Sequence, residues 1–160
     1  MGEFLRRQDG RVSQRGFVMG TLETLLAFEE IRQLKARYSH TIDQKEWDAY
    51  GRVFTEDAVM EMGTVRAEGR SEIVKFVHGA LADVTTSHFA VNPVLELTSD
   101  TTAKGTWSAT YVQEGDKLTG WGFYHETYRK EDGRWLIAST YLVTTMFKGT
   151  DIPTEALVEE

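Results

Sequence analysis

The hydrophobic period of this chain changes once, near Thr85, and that change narrows the possible folds more than any other feature. Before it, apolar residues recur at helical spacing; after it, they alternate. Leu22, Leu26, Ile31, Leu34 and Tyr38 lie near one face of a 3.6-residue repeat, with Glu29, Glu30, Arg32, Lys35 and Arg37 mostly opposite. The spacing predicts an amphipathic helix from 21 to 41–43. A short helix is expected over 45–54, a turn at Asp57 and a short strand over 58–62. Gly69-Arg70-Ser71-Glu72 opens a third helix, with Ile73, Val74, Phe76, Val77 and Leu81 as its buried stripe. Beyond Thr85, long strands are expected over 87–97, 101–111, 118–128 and 135–146. The turn signals Ser99-Asp100, Glu114-Gly115-Asp116 and Asp132-Gly133 separate them, and Pro93 implies an edge or a bulge in the first. Helices first and antiparallel strands afterwards define an α+β fold, with N-terminal helices packed on a curved, mostly antiparallel sheet.

Composition limits what such a domain can do. At 160 residues and 41% hydrophobic content the chain supports one core, placed here at 21–148. It has no cysteine, so disulfides, thiolate metal sites and a cysteine nucleophile are excluded. Eighteen basic against 25 acidic residues give a net charge of −7, which argues against a nucleic-acid or anionic-membrane partner. No apolar run approaches the ~20 residues of a membrane helix, and a cytoplasmic location is expected. Residues 1–20 carry Arg6, Arg7, Arg11 and Arg15 and no long hydrophobic stretch, so they do not form a secretory signal. They are expected to be a disordered or vector-derived tail, with Met19 a plausible start; an organelle-targeting leader is the alternative. Residues 149–160 read as an acidic, solvated tail.

Strand alternation then locates a pocket. Gly105, Trp107, Ala109 and Tyr111 form one inward set, and Gly120, Gly122, Tyr124, Glu126 and Tyr128 another. Small and aromatic residues mixed on one face suit an apolar cavity with a few polar handles, or simply a filled core. The chain has no glycine-rich phosphate loop, no G-x-S-x-G elbow and no H-E-x-x-H. His40, His78, His88 and His125 are scattered at spacings that suit no metal, and neither metal nor cofactor is expected.

Two polar residues stand in less comfortable places. Asp43 closes the long helix, where the dipole repels negative charge, so its carboxylate needs a partner elsewhere. The alternative is a capping box for the next helix through Asp43-Gln44-Lys45-Glu46. His88 opens the first long strand and shares a face with Ala90. A carboxylate bonded to one imidazole nitrogen fixes the tautomer and raises the basicity of the other, making histidine a general base.

These residues resemble the SnoaL-like branch of the nuclear-transport-factor-2-like superfamily, which includes scytalone dehydratase, lindane dehydrochlorinase and a bile-acid dehydratase. The resemblance runs over 22–146. Its carriers are Tyr38-Ser-His-Thr-Ile-Asp43-Gln-Lys-Glu-Trp47, Phe54-Thr-Glu-Asp57-Ala-Val, Ser87-His88-Phe89 and Tyr128-Arg-Lys-Glu-Asp-Gly133-Arg-Trp135. It implies a cone-shaped barrel in which Asp43 and His88 form the catalytic dyad and Tyr38, five positions before the aspartate, contributes to the site. Phe54, Met62, Trp107, Tyr111, Tyr124 and Tyr141 are the candidate substrate-binding side chains. Ile42 stands where scytalone dehydratase has a tyrosine, and no arginine stands around 144–146 where some relatives have one, so a distinct substrate is implied.

The expected function is a cofactor-free, dehydratase-type lyase acting on a small hydrophobic, aromatic or steroid-like cyclic molecule. An isomerase or cyclase of ketosteroid-isomerase or polyketide-cyclase type is the alternative, as is a non-catalytic binding module such as the small subunit of a ring-hydroxylating oxygenase. The outward residues Trp121 and Phe123, with His125, suggest a homodimer or homotrimer through the sheet.

Overall fold

The computed structural model describes residues 20–115 and 117–150. Both expected tails, apart from residues 20, 149 and 150, and the turn residue Asp116 lie outside them. Among the described residues three helices, α1 (Thr21–Asp43), α2 (Trp47–Gly51) and α3 (Arg70–Leu81), pack on one six-stranded sheet. The strands are β1 (Phe54–Met62), β2 (Val65–Glu68), β3 (Thr86–Leu97), β4 (Thr102–Gln113), β5 (Leu118–Glu131) and β6 (Arg134–Lys148), in the order β2-β1-β6-β5-β4-β3. Every neighbouring pair is antiparallel except β1 and β6, which run parallel. The cone is open, with β2 and β3 as its edges. Among the described residues no helix is long and apolar enough to cross a membrane.

Pro93 lies on that free edge, where the β3–β4 register shifts between Val91 and Val94 and Asn92 takes φ 52°. A missing amide costs least there. Several expectations need correcting. The second helix is only Trp47–Gly51, because Phe54 already belongs to β1. Asp57 is in β1 rather than in a turn, and bonds Arg129 of β5 at 2.6 Å. The four-residue β2 has a single buried side chain, Ala67, too little alternation to detect in sequence.

The long helix departs most from its expected pattern. Leu22 and Leu26 are 66% and 54% exposed, and the buried face begins only at Ala27. From there Ile31, Leu34, Lys35, Tyr38 and Ile42 turn inward. Lys35, expected among the solvated charges, is 1% exposed. Its helical position between Ile31 and Tyr38 leaves it no other direction.

The end of α1 is built to deliver Asp43. Glu46 N–H donates to Thr41 O at 2.9 Å and Lys45 N–H to Ile42 O at 3.3 Å, the paired bonds of a Schellman motif. Lys45 occupies its left-handed position at φ 61°, where glycine is the usual residue. The chain therefore turns sharply while Asp43 is still helical, and the aspartate faces the start of β3.

Candidate functional site

Asp43 is not a helix cap: α2 has Glu46 at its N-cap, and no side chain bonds there. The Asp43 carboxylate instead crosses to β3 and accepts three hydrogen bonds. His88 Nδ1–H donates to Oδ1 at 2.6 Å, the His88 backbone N–H to Oδ2 at 2.8 Å, and the Thr86 hydroxyl to Oδ1 at 2.9 Å. Lys45 Nζ donates to the Thr86 oxygen at 3.0 Å, so a cation stands behind the hydroxyl. Partial burial opposes the charge on Asp43, but the bonds from His88 and Thr86 outweigh it and hold the carboxyl below its ordinary range. In the neutral ring, with Nδ1 donating, the free lone pair is on Nε2.

His88 lines a cavity of about 280 Å³ bounded by α1, α3 and the sheet. Met60, Met62, Phe76, Leu81, Leu142 and Phe147 supply most of its apolar wall, and Tyr38, Tyr111, Tyr124 and Thr140 its polar handles. Glu61 and Gln113 also border it. Tyr111 is the cross-strand neighbour of His88, its ring stacked at 6.3 Å between centroids and 21° between planes. Gly120, opposite Tyr111 on β5, makes that possible. A Cβ there would stand 2.1 Å from the Tyr111 ring, so only glycine lets the ring cross β5 and hydrogen-bond Thr144 of β6 at 2.9 Å.

Of the side chains singled out in the sequence, His88, Tyr38, Met62, Tyr111 and Tyr124 line this cavity, and Asp43 stands behind His88. Three do not border it. Phe54 is fully buried beneath it, edge-on to Tyr38 at 6.0 Å. Trp107 is tied into the core by its indole N–H, which donates to the Tyr128 hydroxyl at 2.7 Å. Tyr141 is on the outer face, 40% exposed, because alternation turns its neighbour Thr140 inward.

Behind the phenols lies a buried ion pair that the helical pattern concealed. Lys35 Nζ donates to Glu126 Oε1 at 2.5 Å, and both side chains are almost wholly out of solvent. Glu126 also accepts from Thr140 at 3.0 Å and from Tyr128 at 2.5 Å. The ammonium rests on two aromatic faces, 3.9 Å from the Tyr38 centroid and 3.6 Å from that of Tyr124. Burial pushes the Lys35 ammonium down, and Glu126 works to restore it. Burial pushes the phenols of Tyr38 and Tyr124 well up, so both remain protonated donors.

Among the described residues no group of three or more His, Cys, Asp or Glu side chains converges as a metal site would require. The polar groups gathered at the apolar cavity are a carboxylate-supported imidazole and three phenols, with Thr140, Gln113 and Glu61 beside them.

An open α+β cone with a pocket between helices and sheet is the architecture of the nuclear-transport-factor-2-like proteins. Within them, this chain belongs to the SnoaL-like domain family, whose model matches residues 23–141. Its fold is similar to that of a scytalone dehydratase candidate from Novosphingobium aromaticivorans, with TM-score 0.78 and 23% identity over 84% of this chain and 94% of that one. A type 2 hexachlorocyclohexane dehydrochlorinase gives TM-score 0.74 and 18% identity over 81% and 93%. A candidate aromatic ring hydroxylase, also from N. aromaticivorans, gives TM-score 0.69 and 25% identity over 82% and 96%.

Proposed function

We propose that this protein is a cofactor-free lyase that removes a proton from carbon in a small, hydrophobic cyclic substrate. His88 Nε2 takes the proton while Asp43 orients the ring and stabilises the imidazolium that forms. Tyr38, with Tyr124 beside it, donates to the oxygen of a carbonyl or leaving group. One observation carries the reading: the 2.6 Å bond from His88 Nδ1 to Asp43 beside a mostly apolar cavity. A positioned base of this kind contributes about 10²–10⁴-fold in rate, enough for elimination next to an activating group. The names of two proteins with this fold, a dehydratase and a dehydrochlorinase, denote eliminations.

The test needs no known substrate. Cyclic ketones and β-hydroxy cyclic ketones are incubated with the protein in D₂O and analysed by mass spectrometry. The proposal expects deuterium at the carbon beside the carbonyl and loss of the mass of water from a hydroxylated member, both abolished in His88→Ala and Asp43→Asn. Exchange with no mass loss on any hydroxy ketone would favour an isomerase or cyclase. Binding without exchange would favour a ligand-holding module.

The outer face of the sheet presents Phe89, Val91, Phe123, Tyr141 and Met146, each at least 40% exposed. Exposed apolar side chains gathered on one face suit subunit contact, and a homodimer or homotrimer through it completes the proposal.

A further inference from the structure

The Lys35–Glu126 pair has a feature that a structural ion pair does not need. An ammonium has three N–H donors and no acceptor, and here one reaches a carboxylate while two rings cover the remaining directions. Both rings belong to phenols that line the cavity. A buried ion pair adds little stability over well-packed apolar residues of the same volume, so stability alone gives no reason to keep it. Its place against the tyrosine wall does.

We infer that Lys35 is a positioning residue: its charge, held by Glu126 against the faces of Tyr38 and Tyr124, makes those phenols better donors to a carbonyl oxygen of an uncharged cyclic ketone than the same buried phenols would be without it. A cation on the π face draws electron density from the ring, and the phenolic O–H becomes a better donor. Glu126 works the other way, but its carboxylate is occupied by Lys35, Tyr128 and Thr140, whereas the ammonium rests directly on both rings. The same packing fixes the two rings, so the donors are in place before the ligand arrives. Negative ligands are disfavoured. Among the described residues no lysine or arginine lines the cavity, while Glu61 borders it. The inference deepens the function proposed above and rests on its assignment of the phenols to a substrate oxygen.

The test compares two bicyclic probes of nearly equal shape, 1-tetralone, which carries a carbonyl, and tetralin, which does not. Binding is measured by calorimetry, and the carbonyl stretch of bound ¹³C-labelled tetralone by infrared difference spectroscopy. The wild-type protein should hold tetralone about tenfold more tightly than tetralin, with the stretch moved to lower frequency than in water. In the charge-removed pair Lys35→Met/Glu126→Gln the preference should fall to about twofold and the stretch should return upward, while tetralin affinity stays within about twofold. A wall with only a packing role would weaken both probes together, and that result overturns the inference. So does a preference that survives in the double variant, or a wild-type protein that holds tetralone no better than tetralin, undetectable binding of both included. The wild-type comparison stands even if the variant does not fold. His88→Ala separates this from the dyad: the tetralone preference should persist there while deuterium exchange is lost.

Discussion

Lys35→Met should destabilise the fold severely, and Glu126→Gln should rescue much of the loss. Both side chains are essentially inaccessible, at 1% and 0%, so removing the ammonium leaves a carboxylate buried with only the Tyr128 and Thr140 hydroxyls as partners. Breaking a buried pair in this way costs about 3–5 kcal/mol. Glu126→Gln alone strands the ammonium, but the faces of Tyr38 and Tyr124 return about 2 kcal/mol, so this variant should lose less. In the double variant methionine fills the lysine stem and the glutamine oxygen can still accept from Tyr128 and Thr140, leaving a deficit of about 1–2 kcal/mol. The double variant should therefore be more stable than Lys35→Met by about 1–4 kcal/mol. Urea unfolding followed by tryptophan fluorescence reads the cycle, since Trp107 and Trp135 are buried. At about 2 kcal/mol per molar urea, the middle of the usual range, a difference of about 2–3 kcal/mol separates the midpoints of Lys35→Met and the double variant by about 1 M. Losses that add to within about 0.5 kcal/mol would refute the coupling.

Other consequences are as direct. Asp43→Asn and His88→Ala should each lower turnover about 10²–10⁴-fold in the deuterium-exchange assay. Because the folded Asp43 carboxyl lies below its ordinary range, it contributes stability above that range and loses it as pH falls; Asp43→Asn should flatten the acid limb of a stability–pH curve. Arg129 holds Asp57 down to about 2, so Asp57→Asn should make stability less sensitive to pH between 3.8 and about 2, as checked by thermal melts across that window. Gly120→Ala should push the Tyr111 ring off Thr144 and into the cavity, lowering tetralin affinity measurably by calorimetry.

What the sequence disclosed, and what it concealed, follows from the range of the forces involved. Local periodicity carries the long helix and the four long strands, because each buries one face of its own repeat. Pro93 announced its bulge because a missing amide has few places to go in a sheet. The conflict between Asp43 and the end of its helix was legible too, but whether the carboxylate capped α2 or crossed to β3 depended on the Schellman turn, where Lys45 replaces the expected glycine. Thr86 shares a face with His88 by alternation and could have been found on that ground. Lys35 reads as solvated in the sequence because a lysine among Glu29, Glu30, Arg32 and Arg37 ordinarily is. Its partner lies 91 positions away, and only Glu126, which alternates with Tyr124 and Tyr128 on the inward face, hinted at it. The parallel pairing of β1 with β6 depends on long-range closure and leaves no local pattern.

The tautomer of His88 bears most directly on the central claim. In ¹⁵N-histidine-labelled protein at a pH where the ring is neutral, the account requires the proton on Nδ1, bonded to Asp43, and a bare Nε2 facing the cavity. The resonances should therefore show Nδ1 protonated in the wild type and should lose that bias in Asp43→Asn. A wild-type ring protonated at Nε2 would carry its lone pair on Nδ1, against Asp43 and away from the substrate, and would contradict the assignment of His88 as the base.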